Sequence, residues 1–238
     1  MSITLAMGTG GGEGAAYAGF LFALQRQKIP VGGVCACGAS VFPSLLAANV
    51  NNPDFSVRVW SQLETSGLVP NEQAVYGAMA TLLHEARLES SPMNLAVVAC
   101  DVKRGQPVVL TTGEAAPVAA LSLWSSSGPC MVKVNQRDLS DGSVFGIPVS
   151  IAARVFGRPV VAVRADRHAR TGATLAETLI QIAAHRLDGR AELTVDIEIQ
   201  PGQEHDVGAW FSTGERLGRA WGPRLAILGK TRNRRQGT

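Results

Sequence analysis

Three stretches of this chain carry residue types at spacings suited to chemistry. "LAMGTGGGEGAAYAGFL", Leu5 to Leu21, sets a glycine run between an apolar segment and a stretch of helical spacing. Bare N–H groups gathered at a helix start favour negative charge through the helix dipole. "VCACGASVF", Val34 to Phe42, reads as a strand turning sharply into a helix, the kind of turn on which a nucleophile is displayed. "LSDGSVFGIPV", starting at Leu139, places Asp141 before Gly142.

The glycine run admits few chemistries. A P-loop closes with Gly-Lys-Ser/Thr, and "GEGA" has no lysine, which excludes it. A dinucleotide fold wants G-x-G-x-x-G or A, matched only loosely by "GGGEGA", and an acidic end to the second strand, where this chain has Cys37 and Gly38. Two readings stay open. One is an oxyanion hole, whose N–H groups meet a carbonyl oxygen as it becomes anionic; the other is a turn that only lets strand and helix pack closely.

The elements that position these stretches follow from periodicity. Ile3 to Met7 is an apolar strand, Ala15 to Gln27 has helical spacing, Val31 to Cys37 is a second buried strand and Val41 to Ala48 a second helix. Such a start predicts a parallel sheet covered on both faces. Between Asn51 and Pro92 the chain becomes polar and helical, a cap over the sheet edge. "NLAVVACDV" and "PVVLTTG" form a hairpin, "AAPVAALSLWSS" a helix, "PVVAVRA" and "LTVDIEI" the closing strands, and about Ser212 to Trp221 a last amphipathic helix.

With 238 residues, 46% of them hydrophobic, the chain can bury one full core, so a single domain over 1–229 is expected, with 51–92 as its helical cap. Few aromatics and 26 glycines favour a core of Ala, Val and Leu with tight turns. The net charge of +3 owes much to Lys230, Arg232, Arg234 and Arg235, read as a solvated, disordered basic tail over 230–238, and no nucleic acid is expected as partner. Cys35, Cys37, Cys100 and Cys130 match neither a zinc pattern nor a small disulfide framework, and reduced thiols in a cytoplasm are the simplest reading. His84, His168, His185 and His205 lack metal-ligand spacing, so no metal and no cofactor is expected. The opening residues lack the charged and apolar regions of a signal peptide. Ile29 to Pro53 is uncharged, but its glycines, Pro43 and asparagines fit a strand, turn and short helix better than a membrane span. Tyr76, Met79, Leu82 and Leu83 form an apolar helical stripe read as core. Trp60 and Trp124 suit either an acyl pocket or packing beneath the cap.

"LAMGTGGGEGAAYAGFLFAL" followed by "KIPVGGVCACGAS" resembles the opening of patatin-like phospholipases, which runs from a glycine-rich oxyanion loop ending in Arg-Gly to a G-x-S-x-G elbow. "LAVVACDVKRGQPVVLTTG" is similar to the family's central hairpin, "LSDGSVFGIPV" to its Asp-Gly-Gly block, and "VDIEIQPGQEHDVGAWFSTGERLGRAW" to the last strand and helix of its compact bacterial members. The resemblance covers almost the whole chain, in order. It implies a lysophospholipase-like, three-layer α/β/α patatin-like fold with a mostly parallel central sheet, and a Ser/Asp dyad that hydrolyses lipid acyl esters, serine attacking while aspartate acts on its proton. Asp141 falls on the aspartate position, and Gly10, Gly11, Gly12 and Gly14 fall on the oxyanion loop.

The departures fall on the chemistry. Laid without gaps on G-x-S-x-G, Ala36-Cys37-Gly38-Ala39-Ser40 puts Gly38 at the nucleophile. Glu13 stands where the family has Arg, Ser143 replaces the second glycine after the aspartate, and Gly146 takes an Asn-like position. Loss of an activated serine costs about six orders of magnitude in rate. Ser40 is the remaining candidate nucleophile, although Phe42 crowds the place of the last glycine, and its other role is helix N-cap. Cys37 is expected as a buried thiol. Asp141 suits equally a catalytic position and a loop fixed by backbone N–H bonds.

The expectation is an acyl-hydrolase scaffold that lacks catalysis and binds a lipid, an acyl ester or a protein partner, with room for peripheral membrane contact. The alternatives are an active esterase or phospholipase with a Ser40/Asp141 dyad, and a structural or assembly subunit whose cleft is filled.

Overall fold

The computed structural model of the chain describes residues 2–9, 14–49, 80–83, 85–122, 124–125, 128–129, 131–166, 186–198 and 206–231. Its chain order begins β1 (Ile3–Thr9), α1 (Gly14–Arg26), β2 (Val31–Gly38) and α2 (Val41–Asn49). There follow β3 (Leu95–Asp101), β4 (Gln106–Leu110) and α3 (Ala115–Ala119). A two-residue ladder of β5 (Trp124–Ser125) and β6 (Gly128–Pro129) leads to the hairpin β7 (Val132–Val134) and β8 (Arg137–Asp141). The chain continues through α4 (Val149–Phe156), β9 (Val160–Asp166), β10 (Leu193–Glu198) and α5 (Val207–Thr231).

Eight strands form the main sheet, ordered β10-β9-β1-β2-β3-β8-β7, with β4 also on β3. The first five are mutually parallel, and β4, β8 and β7 join antiparallel. Successive strand side chains point to opposite faces, and here both faces are apolar. Leu5, Met7, Val34, Ala36, Val97, Val161 and Val163 share one core with α1, α2 and α5. Ala6, Cys35, Cys37, Ala96, Val98 and Ala162 share the other with α4. Continuous hydrophobic runs therefore make buried strands, and the result is three layers, helices on both sides of the sheet.

Local chemistry sets several boundaries. Asp101 closes the β3–β4 turn by accepting the N–H groups of Lys103 and Arg104, each at 3.1 Å, with Gly105 at φ +61°. Asn135 and Gln136, both at positive φ, make the two-residue turn that matches the twist of β7 and β8. Asp206 caps α5 through the Ala209 N–H at 2.9 Å.

Some expectations were too short or too long. The helix expected over "AAPVAALSLWSS" stops at Ala119, passes through a 3-10 turn over Ala120–Ser122 and becomes extended at Trp124. The Ser122 hydroxyl donates to the Ala119 carbonyl at 2.7 Å and closes that turn. The last helix is much longer than Ser212 to Trp221 and runs through Pro223 to Thr231, so Lys230 is helical. Trp210 and Leu225, both buried in the core, anchor its two halves, and this packing overrides the proline. Within the expected cap, residues 80–82 are helical and Leu83 is buried, as its stripe implied; Trp60, Tyr76 and Met79 lie outside the described residues.

Candidate functional site

Strand register brings the three chemical stretches to one place. β1 and β2 are parallel, so their C-terminal ends leave the sheet together, with Gly8 opposite Cys37 and Thr9 opposite Gly38. The glycine run thus starts beside the turn at Gly38. β2 pairs β3 from Val34 opposite Leu95 as far as Ala36 opposite Val97, after which β8 takes the same edge of β3, with Asp141 opposite Ala99. β4 occupies the other edge across Val97 to Asp101. Continuing the β2–β3 register by two residues carries Gly38 to the level of Ala99. Asp141 therefore enters the sheet where β2 leaves it, next to the apex.

The apex residue is Gly38, which ends β2 with φ +55°, a left-handed conformation costly for residues with a Cβ. It supplies no side chain. Two residues on, Ser40 is fully buried and its hydroxyl donates to the Cys37 carbonyl at 2.8 Å, back along the turn. The Ser40 carbonyl accepts the Ser44 N–H at 3.1 Å and the Ser44 hydroxyl at 2.7 Å. Ser40 thus stands at the N-terminus of α2, as expected, but its hydroxyl ties the turn shut instead of accepting an N–H from the helix. Phe42, two residues beyond, is wholly buried in the α1 and α2 core.

Asp141 is 3% exposed. Its Oδ1 accepts the Ser143 N–H at 2.8 Å, and the Ser143 hydroxyl lies 2.6 Å from Oδ1 and 2.7 Å from Oδ2. The loop-fixing role expected for an Asp before Gly is therefore present, with a side-chain hydroxyl added to it. Gly142 between them is required by packing, because a Cβ there would collide with the Val98 carbonyl. Cys37 lies close by: its thiol faces the Gly146 carbonyl at 3.7 Å and presses against Gly8, where a Cβ would strike Sγ. Burial pushes the Cys37 thiol well above its ordinary value, and the Asp141 charge pushes it further, against a lowering hydrogen bond from Ser143. Burial, seconded by Asp188, raises Cys35 likewise. Both are neutral thiols.

Tyr17 lies in the stretch of helical spacing from Ala15 to Gln27, which by itself assigns it no role. Its side chain is buried in α1, and its hydroxyl donates to the Gly8 carbonyl at 2.7 Å while accepting the Ala165 N–H at 2.9 Å. One phenol thus joins the ends of β1 and β9 beside the glycine run. The signal was legible: a tyrosine inside a run of Ala, Gly, Phe and Leu must find partners for its hydroxyl once buried. Ser143, in the sequence a replacement of the second glycine after the aspartate, is in the structure the partner of the Asp141 carboxylate.

Of the expected oxyanion loop, Gly14 is described and opens α1; Gly10, Gly11, Gly12 and Glu13 lie outside the described residues. So do all four histidines, Cys130 and the side chain of Trp124. Among the described residues, no group of three or more acidic, His or Cys side chains is placed to hold a metal ion. Cys35, Cys37 and Cys100 are free thiols, and no helix there is long and apolar enough to cross a membrane. A cleft of about 260 Å³ lies elsewhere, against β4 and the β7–β8 hairpin, and its lining includes neither Gly38 nor Asp141. The strand register, not that cleft, marks the candidate site.

No family model matches this chain, and no curated protein matches it. Among solved structures it is similar to VipD from Legionella pneumophila, with 11% identity over 95% of this chain and 67% of that one and a TM-score of 0.51. It is also similar to a chain of the SpcU complex with ExoU from the Pseudomonas aeruginosa type III secretion system, with 14% identity over 94% of this chain and 53% of that one and a TM-score of 0.50. The chain spans about half the length of that second protein. At such identities the likeness shows the fold, a mixed α/β patatin-like architecture around a central sheet.

Proposed function

Taking a patatin-like scaffold as the premise, we propose that this protein is an acyl-hydrolase fold without its nucleophile, retained to bind a lipid, an acyl ligand or a protein partner. The observation that carries the reading is Gly38 at the turn between β2 and α2, at φ +55° beside the glycine run and Asp141. A strained strand-to-helix turn is where hydrolases of this architecture present a serine, and here it presents no side chain.

Three rescues are opposed by the same geometry. Ser40 is buried with its hydroxyl turned toward the Cys37 carbonyl. Cys37 is a neutral thiol in an apolar layer. Ser143 is hydrogen-bonded to Asp141 as a dyad serine would be, but at 1% exposure its hydroxyl is withdrawn from an ester substrate. Without an activated nucleophile, an oxyanion loop at Gly10, Gly11, Gly12 and Gly14 would still orient a ligand carbonyl or ester through its N–H groups.

The protein-partner form of this reading has one point in its favour: a fold neighbour is held in a complex of ExoU with a second protein, SpcU. Palmitate and a lysophospholipid are the probes for the lipid form. The deciding experiment is intact mass after exposure of the purified chain to a fluorophosphonate. No adduct is expected. An adduct mapping to Ser40 overturns the reading in favour of an active Ser40/Asp141 esterase.

A further inference from the structure

A carboxylate removed from water needs hydrogen-bond donors, because an uncompensated buried charge is costly. Asp141 finds two on the second residue after it, the N–H and the hydroxyl of Ser143. The hydroxyl reaches both carboxylate oxygens, so it lies across the carboxylate rather than at one edge. Ser143 itself is held in a short 3-10 turn over Gly142–Phe145, whose first residue cannot carry a Cβ without striking the Val98 carbonyl. The turn is thus packed tightly on β3, with the hydroxyl against the carboxylate.

We propose that Ser143 is a positioning residue that takes, on Asp141, the place of an elbow hydroxyl, so that the glycine at 38 and the serine at 143 act as one coupled replacement. The inference rests on the reading above that residue 38 is the vacated nucleophile position. Its consequence is that restoring a serine at 38 does not by itself restore a dyad. The new hydroxyl has to compete with one already fixed two residues from the carboxylate, which costs no additional ordering.

The test is the rate of fluorophosphonate labelling of three variants: Gly38→Ser, Gly38→Ser with Ser143→Gly, and Gly38→Ser with Ser143→Thr. In the labelling step the introduced serine oxygen bonds to phosphorus, the P–F bond breaks with loss of fluoride, and the hydroxyl proton passes to the Asp141 carboxylate. General-base assistance is worth about 10²–10⁴ in rate, so the Ser143→Gly combination should label roughly 100-fold faster than Gly38→Ser alone. Ser143→Thr keeps the hydroxyl and should label as slowly as the single variant. The labelling profile of the fast variant should gain an acid limb, which Asp141→Asn removes; a merely structural role for Ser143 would not produce that limb.

Equal labelling of the single and Ser143→Gly variants, including no labelling of either, overturns the proposal while leaving the loss of the nucleophile standing. Labelling of the unaltered chain on Ser143 overturns both, because Ser143 is then itself a nucleophile. Labelling of the unaltered chain on Ser40 overturns the reading under Proposed function and, with it, the vacated position on which this inference depends. Far-UV circular dichroism accompanies each variant, and Ser143→Ala takes the place of Ser143→Gly if the latter does not fold.

Discussion

The Tyr17 hydroxyl bridges the Gly8 carbonyl and the Ala165 N–H, joining the ends of two neighbouring parallel strands at the point where the glycine run begins. Tyr17→Phe keeps the ring and removes the bridge. It should destabilise the fold by about 1–3 kcal/mol through the buried polar groups left without this partner. For a chain of this size that is a fall of roughly 2–4 °C in melting temperature per kcal/mol. An unchanged melting temperature would mean that water replaces the phenol.

At Gly19 and Gly214 the interface of α1 with α5 is too close for a side chain. A Cβ on Gly19 would strike the Phe211 carbonyl, and one on Gly214 would strike the Ala16 carbonyl. Gly19→Ala and Gly214→Ala should each cost about 1–3 kcal/mol through forced separation of the helices, although alanine is the better helix former. Ala220→Ser, exposed on the same helix, should stay within about 0.5 kcal/mol. Chemical denaturation of the three variants checks the order.

At the apex, backbone conformation alone sets the expectation. Gly38→Ala places a Cβ at φ +55° and should cost about 1–2 kcal/mol. Gly38→Asn should cost less, since asparagine tolerates that region. If alanine and asparagine are equally neutral, the turn is not held in the left-handed region.

Acid sensitivity has a local origin in Glu89. Its own N–H, the Gly113 N–H at 2.8 Å and the Arg87 guanidinium at 2.7 Å hold the carboxyl at about 2, below its ordinary 4.5. A depressed folded value stabilises above the ordinary value and is lost as pH falls through the folded one. Glu89→Gln should therefore melt below the unaltered chain at pH 6, and the gap should close between pH 4.5 and 2. Glu192 acts in the same sense: burial opposes its charge, but Arg158 and the Val160 N–H outweigh this and lower it. Melting curves across that range test the pair, and a gap unchanged at pH 2 would exclude the Glu89 contribution.

Sequence alone determined what repeats along the chain or sits within a few residues. Runs such as "LAVVACD" specify strands buried on both faces, because only such strands need no polar alternation, and "GTGGGEG" specifies a bare loop between strand and helix. The absence of a serine at residue 38 was legible in the same way, by counting from Val34. Tertiary structure decided which groups meet. That Ser40 turns inward, that Ser143 covers Asp141 and that Tyr17 ties Gly8 to Ala165 depends on strand register and on carbonyls distant in sequence. The length of α5 was decided likewise, by burial of Trp210 and Leu225 on either side of a proline that local propensity reads as a stop. Propensity acts over a few residues, whereas a buried hydroxyl or carboxylate must be satisfied by whatever the fold brings to it.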